Sequence, residues 1–285
     1  MKFEKWQALG NDYLILEATE LPWELSERRI EWLCDPHFGI GADGILLLSR
    51  SEDPEFVANL RIFNPDGSEA ELSGNGAREA ILYLRRHGWT DAEEFAISTV
   101  AGPIRPTITG ELTCSVDMGK ASTASKDFPS GGPDGLGTVR SAGREWEFQH
   151  VSIGNPQCAI VVDPVELADL DLELLGPEIE DSTLFPNRTN VSFLAIDGSN
   201  VRARIFERGV GETLSSGTGA TGAAIAYVLR GERPGGRASV QVELDGGELL
   251  VEVDGDLHVN LTGWARPVFA GELSERFIKE LHETE

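Results

Sequence analysis

Two short segments of this chain are nearly the same: Ser73-Gly74-Asn75-Gly76-Ala77 and Ser216-Gly217-Thr218-Gly219-Ala220. They lie 143 residues apart (73 to 216) in a chain of 285, half its length, which points to two related halves. Each segment opens a stretch of helical spacing. Ala77, Ala80, Ile81 and Leu84 follow the first, with Gly88 as a stop. Ala220, Ala223, Ala224, Ile225, Ala226, Tyr227, Val228 and Leu229 follow the second and leave almost no polar face, which predicts a helix enclosed on all sides until Arg230-Gly231. Each half thus sets a hydroxyl and a bare, Gly-rich turn at a helix N-terminus. Such an end carries unpaired N–H groups and about half a positive charge. Two of them facing one ligand would hold a carboxylate and negative charge developing beside it, as when a proton leaves an α-carbon.

The rest of the chain supplies strands to carry these helices. Residues 26–34 read as a short amphipathic helix with Ser26 as N-cap and Asp35-Pro36 as the stop. The turn Gly39-Ile40-Gly41-Ala42-Asp43-Gly44 leads into an apolar strand at 45–48, and a second strand at 60–63 ends in the turn Asn64-Pro65-Asp66-Gly67. Alternating strands follow the second helix at 239–244, 248–253 and 257–261, joined at Asp245-Gly246-Gly247 and Asp254-Gly255-Asp256. The expected fold is α/β, with two pseudo-symmetric domains, each a curved, mostly antiparallel sheet around a central helix. The Ser-, Gly- and Pro-rich stretch 121–141 is the natural place to divide the chain and reads as a linker rather than a flap.

Composition narrows the partners. Asp and Glu number 48 against 24 Lys and Arg, a net charge of −24, with lysine only at Lys2, Lys5, Lys120, Lys126 and Lys279. Nucleic acid and anionic membranes are excluded as partners by that balance. An acidic, lysine-poor surface is compatible with a salt-rich cytoplasm, but it bears on solubility more than on chemistry. Cys34, Cys114 and Cys158 are odd in number, and Cys34 and Cys158 sit beside apolar residues, which favours buried thiols over a disulfide framework. No pair of Cys or His shows ligand spacing, so no metal is expected. The N-terminus has no apolar signal region and no run approaches a membrane span, so a soluble cytoplasmic protein is the expectation.

A Gly-rich turn before a helix also serves simply to let helix and strand pack closely. Nucleotide binding competes for the same pattern, yet neither turn has phosphate-loop or dinucleotide spacing, and no Lys stands where a phosphate loop needs one. Among polar residues near turns, Asn11, Asn64, Asn155 and Asn190 each have an ordinary reading as turn formers. Glu207-Arg208, just upstream of the second Gly-rich turn, is either a surface ion pair or a place where a guanidinium grips a second carboxylate at two points.

Taken in order, several motifs resemble the diaminopimelate epimerase family over nearly the whole chain. They are Leu9-Gly10-Asn11-Asp12-Tyr13, Phe38-Gly39-Ile40-Gly41-Ala42-Asp43-Gly44, Arg61-Ile62-Phe63-Asn64-Pro65-Asp66-Gly67, Gly74-Asn75-Gly76-Ala77-Arg78, Ile153-Gly154-Asn155-Pro156 and Glu207-Arg208-Gly209-Val210-Gly211-Glu212-Thr213. The resemblance implies domains at 1–118 plus 265–285 and at 119–264. It also implies a cofactor-independent epimerase of lysine biosynthesis that interconverts LL- and meso-diaminopimelate, a small-molecule amino acid, and a homodimer. In that family two cysteines work as a pair across the α-carbon, a thiolate taking the proton on one face and a thiol returning one on the other. The matching positions here are Ser73 and Ser216. By the same resemblance, backbone N–H groups near Gly74, Asn75, Gly217 and Thr218 hold the reacting carboxylate. Asn64, Asn155, Asn190, Glu207 and Arg208 read the distal amino-acid end, and Asn11 lines the pocket.

The chain thus departs from the family at its chemical centre. A thiol at a helix N-terminus ionises near neutral pH, whereas a serine needs an adjacent base, and no histidine lies near either turn in sequence. Gln157 also stands where the family has His after Asn-Pro. Three explanations stay open: serines engineered to silence the enzyme, a natural relative performing another proton transfer, or a binder that does not turn its amino acid over. Glu79 and Thr221 depart from the family as well, which favours divergence over two isolated replacements. The alternatives to an epimerase are accordingly an amino-acid-binding pseudoenzyme and an isomerase of another acid on the same fold.

Overall fold

A computed structural model describes residues 1–71, 73–198, 200–232 and 237–283. Its first strands are β1 (Lys2–Ala8), β2 (Asn11–Glu17), β3 (Ile45–Arg50), β4 (Ala58–Phe63), β5 (Glu69–Ala70), β6 (Ile97–Thr99) and β7 (Gly102–Ile104). Then come β8 (Pro106–Gly110), β9 (Thr113–Lys120), β10 (Leu136–Ser141), β11 (Arg144–Ser152), β12 (Pro156–Val161), β13 (Asn190–Asp197) and β14 (Asn200–Glu207). The last are β15 (Gly211–Thr213), β16 (Ala238–Leu244), β17 (Gly247–Val253), β18 (His258–Trp264) and β19 (Arg266–Glu272). The α-helices are α1 (Glu27–Cys34), α2 (Gly74–Arg86), α3 (Pro164–Asp169), α4 (Leu172–Glu180), α5 (Gly217–Tyr227) and α6 (Glu275–Glu283). The chain divides into two compact units, Met1–Val116 with the chain from Gly263 onward, and Asp117–Thr262. Residues 284 and 285, assigned from the sequence to the first domain, lie outside the described residues.

The half-chain repeat is a repeat of topology. The first unit orders its strands β19-β1-β2-β3-β4-β6-β7 with β5 on β4; the second orders them β10-β11-β12-β13-β14-β16-β17 with β15 on β14. The second sheet then continues through β18, β9 and β8. Every corresponding pair has the same sense. The pairs β2/β3 and β4/β6 are parallel, as are β12/β13 and β14/β16. The others along the two paths are antiparallel. A parallel pair needs a crossover, and helices supply it: α1 between β2 and β3, α3 and α4 between β12 and β13, α2 between β4 and β6, α5 between β14 and β16.

Local chemistry explains the helix starts. Ser26 accepts a hydrogen bond from the Arg29 amide and starts α1, which stops at Asp35 before Pro36. Helix α5 is buried from Gly219 to Ala226 and packs against β11, β12, β13, β14, β16 and β17, so its sheet curves around it and an all-apolar surface is what the sequence needs there. After Tyr227 the chain makes a π-helical turn, Val228–Glu232, with Gly231 at φ 107°. Helix α2 packs on β1, β2 and β3 and keeps polar residues only toward its C-terminal end and its buried start.

One expectation fails. Residues 121–141 are not a linker: they lie inside the second unit, and the last six of them form β10, paired along β11. Phe128 anchors the segment, buried against Phe148 and Phe185 with ring centroids 5.2 and 5.7 Å apart. Burying one such ring stabilises by about 2 kcal/mol, and hydrogen bonds from Thr123 to the Pro133 carbonyl and from Asn187 to Asp127 hold the segment as well.

Candidate active site

Each Gly-rich segment forms the first turn of its helix, and each serine is the N-cap. Ser73 Oγ accepts from the Gly76 amide at 3.1 Å, and Ser216 Oγ accepts from the Gly219 amide at 3.2 Å. Both residues have extended backbone, φ −128° and −144°, which turns the hydroxyl over the helix end. The third residue of each turn is glycine for a packing reason. A Cβ at Gly76 would meet Leu46 Cδ2 at 2.9 Å, and one at Gly219 would meet Ile205 Cδ1 at 2.6 Å. Gly74 differs: among the described residues the nearest neighbour of a Cβ there would be Arg78 Nη1 at 3.9 Å, an ordinary contact. The close-packing reading therefore accounts for Gly76 and Gly219 but not for Gly74.

The surroundings of the two starts repeat as well. Gly10-Asn11 and Gly154-Asn155 occupy equivalent places, with φ 85° and 86° at the two glycines. Asn11 Oδ1 accepts from Asn75 Nδ2 at 3.3 Å, while Asn155 Nδ2 donates to Thr218 Oγ1 at 3.2 Å. Each Asn thus reaches the second helical residue of its own turn. Asn11 is held in turn by Asp43, Nδ2 to Oδ2 2.9 Å, and Asn155 by Gln157, whose Nε2 donates to Oδ1 at 2.7 Å. The fully buried Arg78 guanidinium orients the first turn, donating to the Gly74 carbonyl at 3.1 Å and, through Nη2, to Asn75 Oδ1.

The serines part company in their other partner. Ser216 donates to Glu207 Oε2 at 2.9 Å, and Thr213 Oγ1 donates to the other carboxylate oxygen at 3.0 Å. Burial pushes the Glu207 carboxyl above its ordinary range, against the pull of those two hydroxyls. Ser216 therefore has the base that its neighbours in sequence lack: Glu207, at the end of β14, is folded back beside it by the β14–β15 hairpin. Ser73 instead accepts from the Tyr13 hydroxyl at 3.1 Å. In the sequence Tyr13 stands out only as the end of a motif, and the link spans 60 residues, which no local pattern announces.

Other expected site residues are accounted for as follows. Glu207 and Arg208 do not pair with each other: Arg208 Nη1 donates to the Asn187 carbonyl at 3.0 Å, and its amide to Asn190 Oδ1 at 2.8 Å. Asn190 is buried, with its Nδ2 on the Pro156 carbonyl at 3.2 Å, so both ends of its amide are engaged in holding the Arg208 turn to β12. Asn64 closes its own turn, Nδ2 to Ser68 Oγ 2.9 Å, as a turn former does. Two departures from the family motifs are buried. Thr221 donates to the Gly217 carbonyl at 2.9 Å, and Glu79 has neither carboxylate oxygen hydrogen-bonded to a described side chain. Burial pushes the Glu79 carboxyl well above its ordinary range, against the pull of the neighbouring Arg78 guanidinium.

The three cysteines stand apart from this chemistry. All are buried, and burial raises the Cys34 and Cys114 thiols to about 12 and Cys158 well above the ordinary range, which keeps them protonated near neutral pH. Among the described residues no group of three or more His, Cys, Asp or Glu is placed to hold a metal ion, and no helix is long and apolar enough to cross a membrane.

The family model described as diaminopimelate epimerase matches residues 3–124 and 149–268. Diaminopimelate epimerase 2 of a Nostoc species is 39% identical, covering 96% of each chain. The diaminopimelate epimerase of Pelotomaculum thermopropionicum is 38% identical, covering 97% of this chain and all of that one, 100%. Among solved structures, a phenazine biosynthesis protein of the PhzF family from Bacillus anthracis shares the fold with a TM-score of 0.70 at 20% identity, over 96% of this chain and 99% of that one. A hydroxyproline epimerase from Agrobacterium vitis, with bound trans-4-hydroxy-L-proline, shares it with a TM-score of 0.65 at 16% identity, over 95% and 91%.

Proposed function

From the premise that the chain belongs to the diaminopimelate epimerase family, we propose that it is an amino-acid epimerase interconverting LL- and meso-diaminopimelate by two-base proton transfer at the α-carbon. Ser73 and Ser216 take the acid and base positions. The observation that carries the reading is the Ser216–Glu207 hydrogen bond of 2.9 Å, which gives a serine the base it needs. Glu207 accepts the Ser216 proton as Ser216 takes the α-proton, and burial has already raised its affinity for that proton. The first-turn amides at Gly74, Asn75, Gly217 and Thr218 would hold the α-carboxylate and the charge that builds on it, and Gly74, where packing among the described residues leaves room for a Cβ 3.9 Å from Arg78 Nη1, supports close approach there. Arg208 remains a candidate for the distal end of the substrate; Asn11 and Asn155 orient the two turns, and Asn190 holds the Arg208 loop.

A cytoplasmic homodimer in lysine biosynthesis is the setting this reading implies, and sedimentation velocity tests the dimer. The activity is tested by incubating LL-diaminopimelate with the protein and separating products by chirality. Formation of the meso isomer supports the proposal. Tight binding without conversion would make the chain a binding protein, and conversion of a different acid alone would make it another isomerase on this fold.

A further inference from the structure

We infer that Tyr13 is a positioning and relay residue for Ser73: its hydroxyl keeps Ser73 in the proton-donating state and replaces the proton that Ser73 gives up. The inference rests on the epimerase reading and deepens it by assigning a direction to each half. Ser73 Oγ receives two hydrogen bonds, from the Gly76 amide and from Tyr13 Oη, each 3.1 Å long. With the phenol as the donor of that pair, both lone pairs of Ser73 Oγ are taken and its own proton is what it offers a ligand. Ser216 has the opposite polarity, because its proton is committed to Glu207 and only a lone pair remains. Equivalent hydroxyls in a repeated fold are thus set as donor and acceptor by unrelated partners, a phenol on β2 and a carboxylate on β14.

The phenol is chemically suited to its place. An aliphatic alcohol that protonates a carbanion is left as an alkoxide, a poor resting state, whereas phenols ionise at about pH 10 and carry negative charge far more readily. In the relay the Ser73 O–H bond breaks as the new α-C–H bond forms. The Tyr13 proton then passes to Ser73 Oγ, and the charge rests on the phenolate oxygen. In reverse, Ser73 gives its proton to the phenolate while taking the α-proton. The ring is held firmly in this position. It is nearly buried, and a Cβ at Gly44 would stand only 2.7 Å from Tyr13 Cε1, so the bare backbone of Gly44 makes the slot in which the ring lies.

The test is a double-mutant cycle on α-proton exchange of diaminopimelate in heavy water, with melting temperatures recorded for every variant. Tyr13→Phe in the otherwise unchanged chain is expected to lower exchange at least about 100-fold, the lower end for loss of a general acid. The same change in a Ser73→Cys background is expected to cost less than about threefold, because a thiol is acidic enough without a relay. An equal loss in both backgrounds would make Tyr13 merely structural and overturn the inference. Exchange absent from the unchanged chain but present in a Ser73→Cys, Ser216→Cys variant would also overturn the relay while leaving the epimerase site standing. Silence from every variant would instead remove the diaminopimelate reading, and the relay with it.

Discussion

Glu207→Gln keeps the size of the side chain, but its amide oxygen can accept from only one of the Thr213 and Ser216 hydroxyls and it leaves Ser216 without a base. Exchange of the α-proton should fall by about 10²- to 10⁴-fold, the usual worth of a general base. The pH profile carries a second signature. Burial raises the Glu207 carboxyl, so the ascending limb of kcat/KM should lie above the ordinary Glu range and vanish in the variant. The sign for stability is the reverse of a salt-bridged carboxylate. With its folded pKa above the unfolded one, Glu207 contributes stability that is present below the unfolded value and lost as pH rises through the raised folded value. The melting temperature of the unchanged chain relative to Glu207→Gln should therefore decline across that window. A difference that stays constant with pH would mean that burial does not act on this carboxyl.

At the scale of elements, the two helix starts separate what packing requires from what the proposed substrate contact would require. Gly219→Ala drives a Cβ to 2.6 Å from Ile205 Cδ1 and should cost about 1–3 kcal/mol of stability, measured by urea unfolding. Gly74→Ala meets nothing closer than Arg78 Nη1 at 3.9 Å in the contacts between described residues and should leave stability unchanged or slightly raised by better helix propensity, while raising KM. A stable Gly74→Ala protein with unaltered KM would mean that no ligand approaches that backbone. Elements whose signals are local were legible in the sequence: α1 from Ser26 and Asp35-Pro36, β16 to β18 from alternation and their Asp-Gly turns, and both site helices from their caps. Helices α3 and α4 were not, although Asp163 and Asp171 cap them. The Gly176-Pro177 pair inside α4 looks like a break, yet a Cβ at Gly176 would lie 2.4 Å from the Phe206 ring, so this glycine lets the helix press onto β14. The site divides the same way. Both serines are helix caps and could be found by inspection, and Asn64 is the turn former its neighbours suggest. The partners of the serines depend on chain reversal at the β14–β15 hairpin and on a contact across 60 residues, and neither leaves a periodic trace.

Across the whole molecule, one topology is used twice with different chemistry at the equivalent helix starts, so the symmetry belongs to the scaffold and the asymmetry to the side chains that reach it. The net charge of −24 acts on that scaffold as self-repulsion. Salt shortens the screening length from about 10 Å at 0.1 M to about 3 Å at 1 M, so the melting temperature should rise as sodium chloride is added over that range. A flat or falling curve would show that the acidic residues are already compensated by local pairing. The central claim is that a Ser216–Glu207 base and a Ser73 acid can work an α-carbon without a thiol. Its most direct test is deuterium incorporation at the α-carbon of LL- and meso-diaminopimelate in heavy water by the unchanged chain, beside its Ser73→Cys, Ser216→Cys variant. Incorporation by the unchanged chain, with each isomer appearing from the other, is the predicted result; incorporation by the cysteine variant alone would contradict the claim.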